Sequence, residues 1–266
     1  MGDTGQVTRS AAEIYDELFL PAMFNEWPPR IAKLAELEPG MRVLDVACGT
    51  GVLSLVAAEI VKPGGSVVGL DLNAGMLEVA KRKAPDIDWR EASAETIPFE
   101  DDSFDAVISQ FGLMFFEDKV RALREMLRVL RSEGKMAVAV WDSLDNVTGY
   151  AAASRLLGRL FGDSAAESLT TPYSLGDKQK LESLFSDAGA ADIAISTLEG
   201  IARYPSVRYW MEADIRGWTL ADVLDDAQFE LLVSEGEAAF AEFVNSDGEV
   251  EFSSPAHIVT MTKRAR

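Results

Sequence analysis

The chain has 266 residues, of which 48% are hydrophobic and 26% charged, and this length supports one substantial core with an elaboration too small for a second domain. Its 25 basic and 44 acidic residues give a net charge of −19, which repels phosphate-rich partners and excludes nucleic acid as an expected substrate. One cysteine cannot form an internal disulfide, and the sequence contains neither a signal peptide nor an apolar stretch long enough to cross a bilayer. We therefore expect a cytoplasmic protein without membrane insertion; its oligomeric state is left open.

Short β-branched stretches alternate along the chain with longer stretches whose apolar residues recur at helical spacing. This alternation is typical of strand-helix-strand units and predicts a doubly wound, mostly parallel sheet. The predicted strands are 42–47, 66–71, 86–90, 104–110 and 135–141, followed by two later candidates at 192–198 and 257–262. The two later candidates would complete one edge of the sheet.

Three segments fall outside that alternation: 1–39, 143–176 and 203–251. We expect them to form a helical cap over the carboxyl ends of the parallel strands, where open α/β sheets bind their ligands. The chain 1–266 would then be one domain, whose core comprises about 40–142, 177–202 and 252–266. Aromatic residues of the cap can enclose an apolar acceptor or pack as ordinary core; they are Tyr15, Phe19, Trp27, Tyr204, Trp210 and Trp218.

A glycine turn follows the first predicted strand, in the stretch "VLDVACGTGVLSLVAAEI". Gly49 and Gly51 occupy the first two glycine positions of a cofactor-binding turn, and Ser54 stands at the third, which makes the motif a partial match. Asp45 precedes the turn by four residues. An ionised carboxylate at that place repels the pyrophosphate of a dinucleotide, but it suits the sulfonium and ammonium groups of S-adenosylmethionine.

A second carboxylate ends the second predicted strand, in "VVGLDLNAGML". Asp71 lies twenty residues after Gly51, where a carboxylate can accept hydrogen bonds from both ribose hydroxyls of an adenosine cofactor. Asp71 can instead cap the following helix, although Asn73 can fill that role. Met76 can lie against an adenine ring or belong to the core.

Four stretches follow one another in a characteristic order and spacing: "VLDVACGTG", "VVGLDLNAGML", "ASAETIPFEDDSFDAVISQFGLMFFED" and "ALREMLRVLRSEGKMAVAVW". Over about residues 40–142 the chain resembles the class I S-adenosylmethionine-dependent methyltransferases, and it is most similar to the small-molecule group that includes the ubiquinone and menaquinone biosynthesis methyltransferases. The resemblance implies an α/β, Rossmann-like, doubly wound sheet of seven strands with the last strand antiparallel. It also implies methyl transfer to a small acceptor, with S-adenosyl-L-homocysteine as the product of S-adenosyl-L-methionine.

The resemblance also implies which residues contact the cofactor. Family members carry an acidic residue where Ser93 stands, and a hydroxyl can accept the same hydrogen bond from the adenine amino group. The cofactor residues implied are Asp45, Ala47, Gly49 and Gly51 around the first turn, Asp71, Leu72 and Met76 after the second strand, Ser93, Ala94 and Glu95 at the adenine edge, and Gln110 near the sulfonium.

Methyl transfer from a sulfonium depends on alignment and needs no covalent nucleophile, although an acceptor proton often has to be removed. His257, the single histidine, is a candidate base, and Gln110 can orient the cofactor or the acceptor; each can instead be structural. No cluster of Cys and His offers a metal site, so no metal is expected. The predicted wall of the acceptor pocket comprises Tyr15, Phe19, Trp27, Phe111, Met114, Phe115 and Trp210.

Two alternative functions remain compatible with these patterns. A nicotinamide-dependent oxidoreductase would require that the Asp45 carboxylate does not repel the pyrophosphate of its cofactor. A catalytically silent protein could keep the cofactor pocket for regulation or assembly. The acceptor and the methylated atom, whether oxygen, nitrogen or carbon, are not determined, because fold does not dictate function.

Overall fold

The computed structural model describes residues 9–217 and 224–265, so Trp218 lies outside the described part of the chain. Its strands are β1 (Arg42–Val46), β2 (Ser66–Asp71), β3 (Asp88–Glu91), β4 (Phe104–Gln110), β5 (Leu130–Trp141), β6 (Ala194–Leu198), β7 (Ile201–Tyr204), β8 (Val250–Ser253) and β9 (Ala256–Thr262). Seven of them form one sheet in the order β3-β2-β1-β4-β5-β9-β6, while β7 and β8 form a separate pair.

Helices cover the sheet and form much of the remaining structure. A π-helix, Tyr15–Phe24, continues directly from the first α-helix. None of the helices in the described ranges is long and apolar enough to cross a membrane. The α-helices are α1 (Arg9–Ile14), α2 (Trp27–Leu34), α3 (Val52–Val61), α4 (Ala74–Lys83), α5 (Lys119–Val129), α6 (Thr148–Phe161), α7 (Asp163–Glu167), α8 (Lys178–Asp187), α9 (Val207–Gly217) and α10 (Asp226–Ala239).

The sheet has the predicted topology. Strands β1 to β5 pair in parallel, and β9 runs antiparallel to both β5 and β6. Val43, Leu44 and Val46 of β1 are fully buried, as expected for a central strand covered by helices on both faces. The expectation of a Rossmann-like, seven-stranded sheet with an antiparallel last strand is confirmed.

Most predicted strand boundaries hold within two residues, but the start of β5 and the β7–β8 hairpin differ from the sequence prediction for local reasons. Strand β5 begins at Leu130 rather than at 135, because its pairing with β4 jumps from Phe104 opposite Leu130 to Ala106 opposite Lys135. The extra residues form an irregularity in the pairing of the two strands. Their charged and small side chains do not alternate between polar and apolar, so the sequence pattern did not predict them as strand. The hairpin of β7 with β8 was not predicted, since four-residue strands carry too little periodicity to be recognised.

The first two strand-to-helix connections bring polar groups to one edge of the sheet. Gly51 adopts the left-handed conformation, with φ +89°, at the start of α3. Asn73 caps α4 by accepting a hydrogen bond from the Met76 backbone N–H at 3.1 Å, so the capping role considered for Asp71 belongs to Asn73. The Asp71 carboxylate is thereby available to the space beyond the strand ends.

Candidate active site

Two cavities lie beside each other at the carboxyl ends of the parallel strands. The larger, which we call the strand-end cleft, has a volume of about 260 Å³ and begins at the loops after β1 and β2. The smaller, which we call the aromatic pocket, has a volume of about 80 Å³ and is lined mainly by aromatic side chains. Tyr15, Phe111 and Phe115 line both cavities and therefore form a shared wall.

Most residues predicted to bind the cofactor line the strand-end cleft. Asp45 and Gly51 do not, and both are buried. The further lining residues, which the prediction did not assign to the cofactor, are Tyr15, Leu70, Asn73, Ala92, Phe111, Gly112, Phe115, Phe116 and Glu117. The predicted residues that line the cleft are Ala47, Gly49, Asp71, Leu72, Met76, Ser93, Ala94, Glu95 and Gln110.

Asp71 connects the glycine turn to the start of α4. Its Oδ2 accepts a hydrogen bond from the Gly49 backbone N–H at 2.8 Å, and its Oδ1 accepts one from the Asn73 N–H at 2.8 Å. Burial raises the pKa of this carboxyl above its ordinary value, although these backbone hydrogen bonds oppose the shift. Each carboxylate oxygen keeps a further lone pair with which to accept a hydroxyl from the cleft.

Asp45 lies beneath the turn and does not line the strand-end cleft. Its side chain is fully buried, and its Oδ2 accepts a hydrogen bond from the Ser54 hydroxyl at 2.6 Å. Burial and the nearby negative charge of Asp71 raise the pKa of Asp45 to about 7, while the Ser54 hydrogen bond acts in the opposite direction. Ser54, which departs from the usual glycine motif, is therefore the hydrogen-bond partner of this buried carboxyl.

The two glycines of the turn serve different purposes. A Cβ added to Gly49, whose φ is +55°, would meet no atom within 4 Å, so this position leaves room for a ligand in the cleft. A Cβ added to Gly51 would come within 2.6 Å of the Trp89 ring. Trp89 cannot easily move, since it is buried and its indole N–H donates to the Ala84 carbonyl at 2.8 Å.

We expect Gly51→Ala to lower the free energy of unfolding by about 2 kcal/mol more than Gly49→Ala, as measured by urea denaturation. Both substitutions impose a left-handed conformation on a residue with a Cβ, but only the methyl group at position 51 overpacks the core against Trp89. Equal losses of stability in the two variants would contradict this division of roles.

The character of the strand-end cleft favours a ligand with an apolar face and a positive charge. Leu72 is 51% exposed at its edge, which is unusual for a leucine and leaves an apolar surface open to a flat ring. The described residues that line the cleft include Asp71, Glu95 and Glu117, and none of them is a lysine or an arginine. This lining suits S-adenosylmethionine, which has no phosphate, and disfavours a dinucleotide.

The aromatic pocket contains four of the seven predicted wall residues: Tyr15, Phe19, Phe111 and Phe115. The remaining three, Trp27, Met114 and Trp210, are buried in the core and do not line it. Their burial is the ordinary outcome for apolar residues on the inner faces of helices. The residues that the prediction missed are Met23, Phe24, Trp141, Tyr150, Ser168, Leu169, Pro172, Tyr173 and Asp214.

Phe111 separates the two cavities in a constrained conformation. Its φ is +54°, in the left-handed region that non-glycine residues rarely adopt. Its ring stacks on Trp141, with ring centroids 3.7 Å apart and planes 5° from parallel. A strained residue that stays in place because of its packing is typical of a functional site.

The two candidate catalytic residues have different surroundings. Gln110 lines the strand-end cleft; its Nε2 donates a long hydrogen bond of 3.5 Å to the Phe24 carbonyl, and its buried Oε1 has no partner among the described residues. His257 lies outside both cavities, where Nδ1 pairs with Thr197 at 3.0 Å and Nε2 with the Gly176 carbonyl at 2.9 Å. Both ring nitrogens of His257 thus have partners within the protein, and Nε2 also lies 3.2 Å from the Asp142 carboxylate; its role as a base stays a prediction.

Asp214 is the polar residue of the aromatic pocket that the sequence prediction overlooked. The sequence contained a signal for it, since Asp214 shares one face of α9 with Val207, Trp210 and Met211 at spacings of seven, four and three residues. All four side chains are buried. A carboxylate on the apolar face of a helix indicates either a buried hydrogen-bond network or a binding site.

Comparisons with known proteins support the interpretation of the strand-end cleft. Residues 44–138 match the family described as methyltransferase domain. The chain is 41% identical to a demethylmenaquinone methyltransferase of Renibacterium salmoninarum over 127 residues, which are 48% of this chain and about half, 52%, of that relative. It is 30% identical to the demethylmenaquinone methyltransferase of Staphylococcus carnosus over 212 residues, which are 73% of this chain and 88% of the relative.

A solved structure shares the fold at lower sequence identity. It is the Haemonchus contortus phosphoethanolamine N-methyltransferase 2, in complex with phosphomonomethylethanolamine and S-adenosylhomocysteine. The TM-score is 0.62 at 19% identity, over 97% of this chain and 58% of that protein. With the seven-stranded topology and the long match to the Staphylococcus relative, the conclusion is direct: the chain belongs to the class I S-adenosylmethionine-dependent methyltransferases, in the small-molecule group that contains the demethylmenaquinone methyltransferases.

Proposed function

We propose that the chain transfers a methyl group from S-adenosylmethionine, held in the strand-end cleft, to a small and partly apolar acceptor in the aromatic pocket. The observation that carries this proposal is the wall that the two cavities share, made by Tyr15, Phe111 and Phe115. In this proposal the segments 1–39, 143–176 and 203–251 act as the cap that closes the acceptor site. The π-helix and α6, which belong to the first two segments, contribute lining residues to the aromatic pocket.

The residues of the strand-end cleft fit the cofactor, which supplies an activated methyl group on a positively charged sulfur. In this proposal Asp71 accepts the ribose hydroxyls, and Leu72 and Met76 form an apolar surface for the adenine; all three line the cleft. Ser93, whose hydroxyl accepts the Glu95 N–H at 3.1 Å, keeps a lone pair for the adenine amino group. Ala47, Ala94 and Glu95 line the same cleft.

The protein's own contribution to the reaction is orientation and the exclusion of water. Methyl transfer proceeds in line, so holding the acceptor at a fixed angle can supply a large part of the acceleration. The stacked Phe111 and Trp141 rings form a rigid side of the pocket. Gln110 has an unpartnered Oε1 near this wall, and we propose that it orients the cofactor or the acceptor.

We propose a quinone-type ring as the acceptor, because the named relatives are demethylmenaquinone methyltransferases. An aromatic pocket of about 80 Å³ is smaller than the cavity of roughly 150 Å³ that binds benzene in another protein. It therefore has room for the reacting part of a ring, while the rest of the acceptor lies outside the pocket. A long apolar tail would have to leave the pocket.

Isothermal titration tests the cofactor assignment. We expect S-adenosylhomocysteine to bind with micromolar affinity and NADH to give no heat, because the acidic lining of the cleft repels a pyrophosphate. Binding of NADH in place of S-adenosylhomocysteine would show that the cleft belongs to an oxidoreductase.

Transfer of radiolabelled methyl groups then tests the acceptor assignment, with a reduced demethylmenaquinone carrying a short prenyl chain as the probe. We expect label in the quinol fraction together with formation of S-adenosylhomocysteine. Tight cofactor binding without transfer to this quinol, or to any fraction of a cell extract, would favour a catalytically silent cofactor-binding protein.

A further inference from the structure

Asp214 is the only carboxylate among the described residues that line the aromatic pocket. It lies on α9 with 6% of its surface exposed, and its Oδ1 accepts a hydrogen bond from the Tyr150 hydroxyl at 2.8 Å. The Tyr150 and Tyr204 hydroxyls are themselves 2.9 Å apart. One side of the carboxylate is thus held by a buried network that joins α6, β7 and α9.

The second oxygen, Oδ2, is buried without a hydrogen-bond partner. The indole N–H of Trp210, itself a buried donor without a partner of ordinary geometry, is the neighbouring donor and favours the ionised carboxylate through a poorly aligned contact. A poorly aligned contact satisfies a buried acceptor incompletely, so Asp214 keeps acceptor capacity beside the pocket that it lines. A ligand in the pocket can supply a donor to it.

We propose that Asp214 binds the hydroxyl group of the acceptor, which is a phenol, an enol or a hydroquinone, and takes its proton during the reaction. This inference rests on the proposed function, since it assigns the acceptor to the aromatic pocket. The O–H bond breaks, its electron pair remains on the acceptor oxygen, and the proton passes to Oδ2, which leaves a neutral carboxylic acid. The anionic oxygen, or a ring carbon that shares its charge, is the stronger nucleophile.

The surroundings of Asp214 suit this role. Burial raises its pKa to about 7, while the Tyr150 hydrogen bond opposes the shift, so the carboxyl can take a proton and release it again near neutral pH. The ionisable groups that face it are Tyr150 on α6, Tyr173 in the 3-10 turn Thr171–Tyr173, and Tyr204 on β7. Burial raises the pKa of all three tyrosines well above the ordinary value, so they remain neutral.

Phenol and toluene form a matched pair of probes, because they have nearly the same shape and differ in the hydroxyl group. Their affinities are to be measured by ligand-observed NMR with saturating S-adenosylhomocysteine, for the wild type, for Asp214→Asn and for Glu212→Gln. Glu212→Gln removes a half-buried carboxylate from the same helix and is the control for lost charge. We expect Asp214→Asn to weaken phenol binding about tenfold and to leave toluene binding within twofold, while Glu212→Gln changes neither.

The outcomes separate this inference from the proposed function. If S-adenosylhomocysteine does not bind, the proposed function fails. If it binds but Asp214→Asn lowers the affinities for both rings equally, or for neither, the role of Asp214 is wrong. The wild type gives an independent result should Asp214→Asn fail to fold, because toluene binding more tightly than phenol, or no binding of phenol, also overturns the inference.

Discussion

Asp71→Ala is expected to weaken S-adenosylhomocysteine binding by about 3 kcal/mol, which is roughly a 100-fold loss of affinity. Hydrogen bonds to an ionised carboxylate contribute about 1.5 to 3 kcal/mol each, and Asp71 is placed to accept two from the ribose. The same substitution releases the Gly49 and Asn73 N–H groups from the carboxylate. The turn beneath the cofactor then loses these stabilising hydrogen bonds, and the loss of order in the turn weakens binding further.

Isothermal titration measures this effect, and Asp145→Ala is the matched control. Asp145 is an exposed carboxylate in the 3-10 turn Leu144–Asn146, so its removal makes the same change in net charge away from the cleft. Unchanged affinity in Asp71→Ala would show that the ribose assignment is wrong. An equal loss in both variants would point to the charge of the whole protein instead.

The sequence predicts the sheet and most of the strand-end cleft because both depend on local patterns. Alternation of short and long apolar stretches is sufficient for the parallel strands, and turns that follow parallel strands meet at one edge of a sheet. The positions of Gly49, Asp71 and Gln110 follow directly from that rule. They all line the cleft, as predicted.

The aromatic pocket is harder to predict because its wall comes from distant parts of the chain. Tyr15, Tyr150 and Asp214 lie on three separate helices, and no local pattern shows which helix faces will meet. Trp27 and Trp210 were predicted to line the pocket, but both are buried in the core instead. Tertiary packing alone separates lining residues from core residues of the same chemical type.

Asp45 shows that a carboxylate next to the glycine turn in the sequence need not line the cleft. The sequence places its carboxylate next to the glycine turn, but the pleat of β1 and the Ser54 hydroxyl direct it beneath the turn. Gly51 does not line the cleft either. It packs closely against the Trp89 ring, where a Cβ would not fit. Neither residue lines the cleft, and neither motif nor spacing predicts which residues near a turn do so.

Asp45→Asn is expected to remove a pH dependence of stability worth about 4 kcal/mol between pH 4 and pH 7. In the unfolded chain an aspartate titrates near pH 4, whereas the buried Asp45 titrates at about 7. The folded protein therefore holds this proton more tightly, and its free energy of unfolding falls as the pH rises through that window. Above pH 7 both states are ionised and the contribution is constant.

Urea denaturation at several pH values between 4 and 8 measures this effect as the difference between wild type and Asp45→Asn. The difference reports on Asp45 and its coupling to Asp71, because Asp214, whose pKa burial also raises, remains in both proteins. We expect the asparagine variant to gain about 4 kcal/mol relative to the wild type as the pH rises from 4 to 7. Parallel curves for the two proteins would show that Asp45 keeps an ordinary pKa.

Ser54→Ala provides the complementary test of the same buried pair. The Ser54 hydroxyl stabilises the ionised carboxylate more than the neutral acid, so its removal should destabilise the protein by about 2 kcal/mol at pH 8 and by less at pH 4. In the Asp45→Asn background the effect of Ser54→Ala should lose this pH dependence, because no carboxylate remains to be ionised. A pH-dependent effect that persists in the double variant would assign the titration to a group other than Asp45.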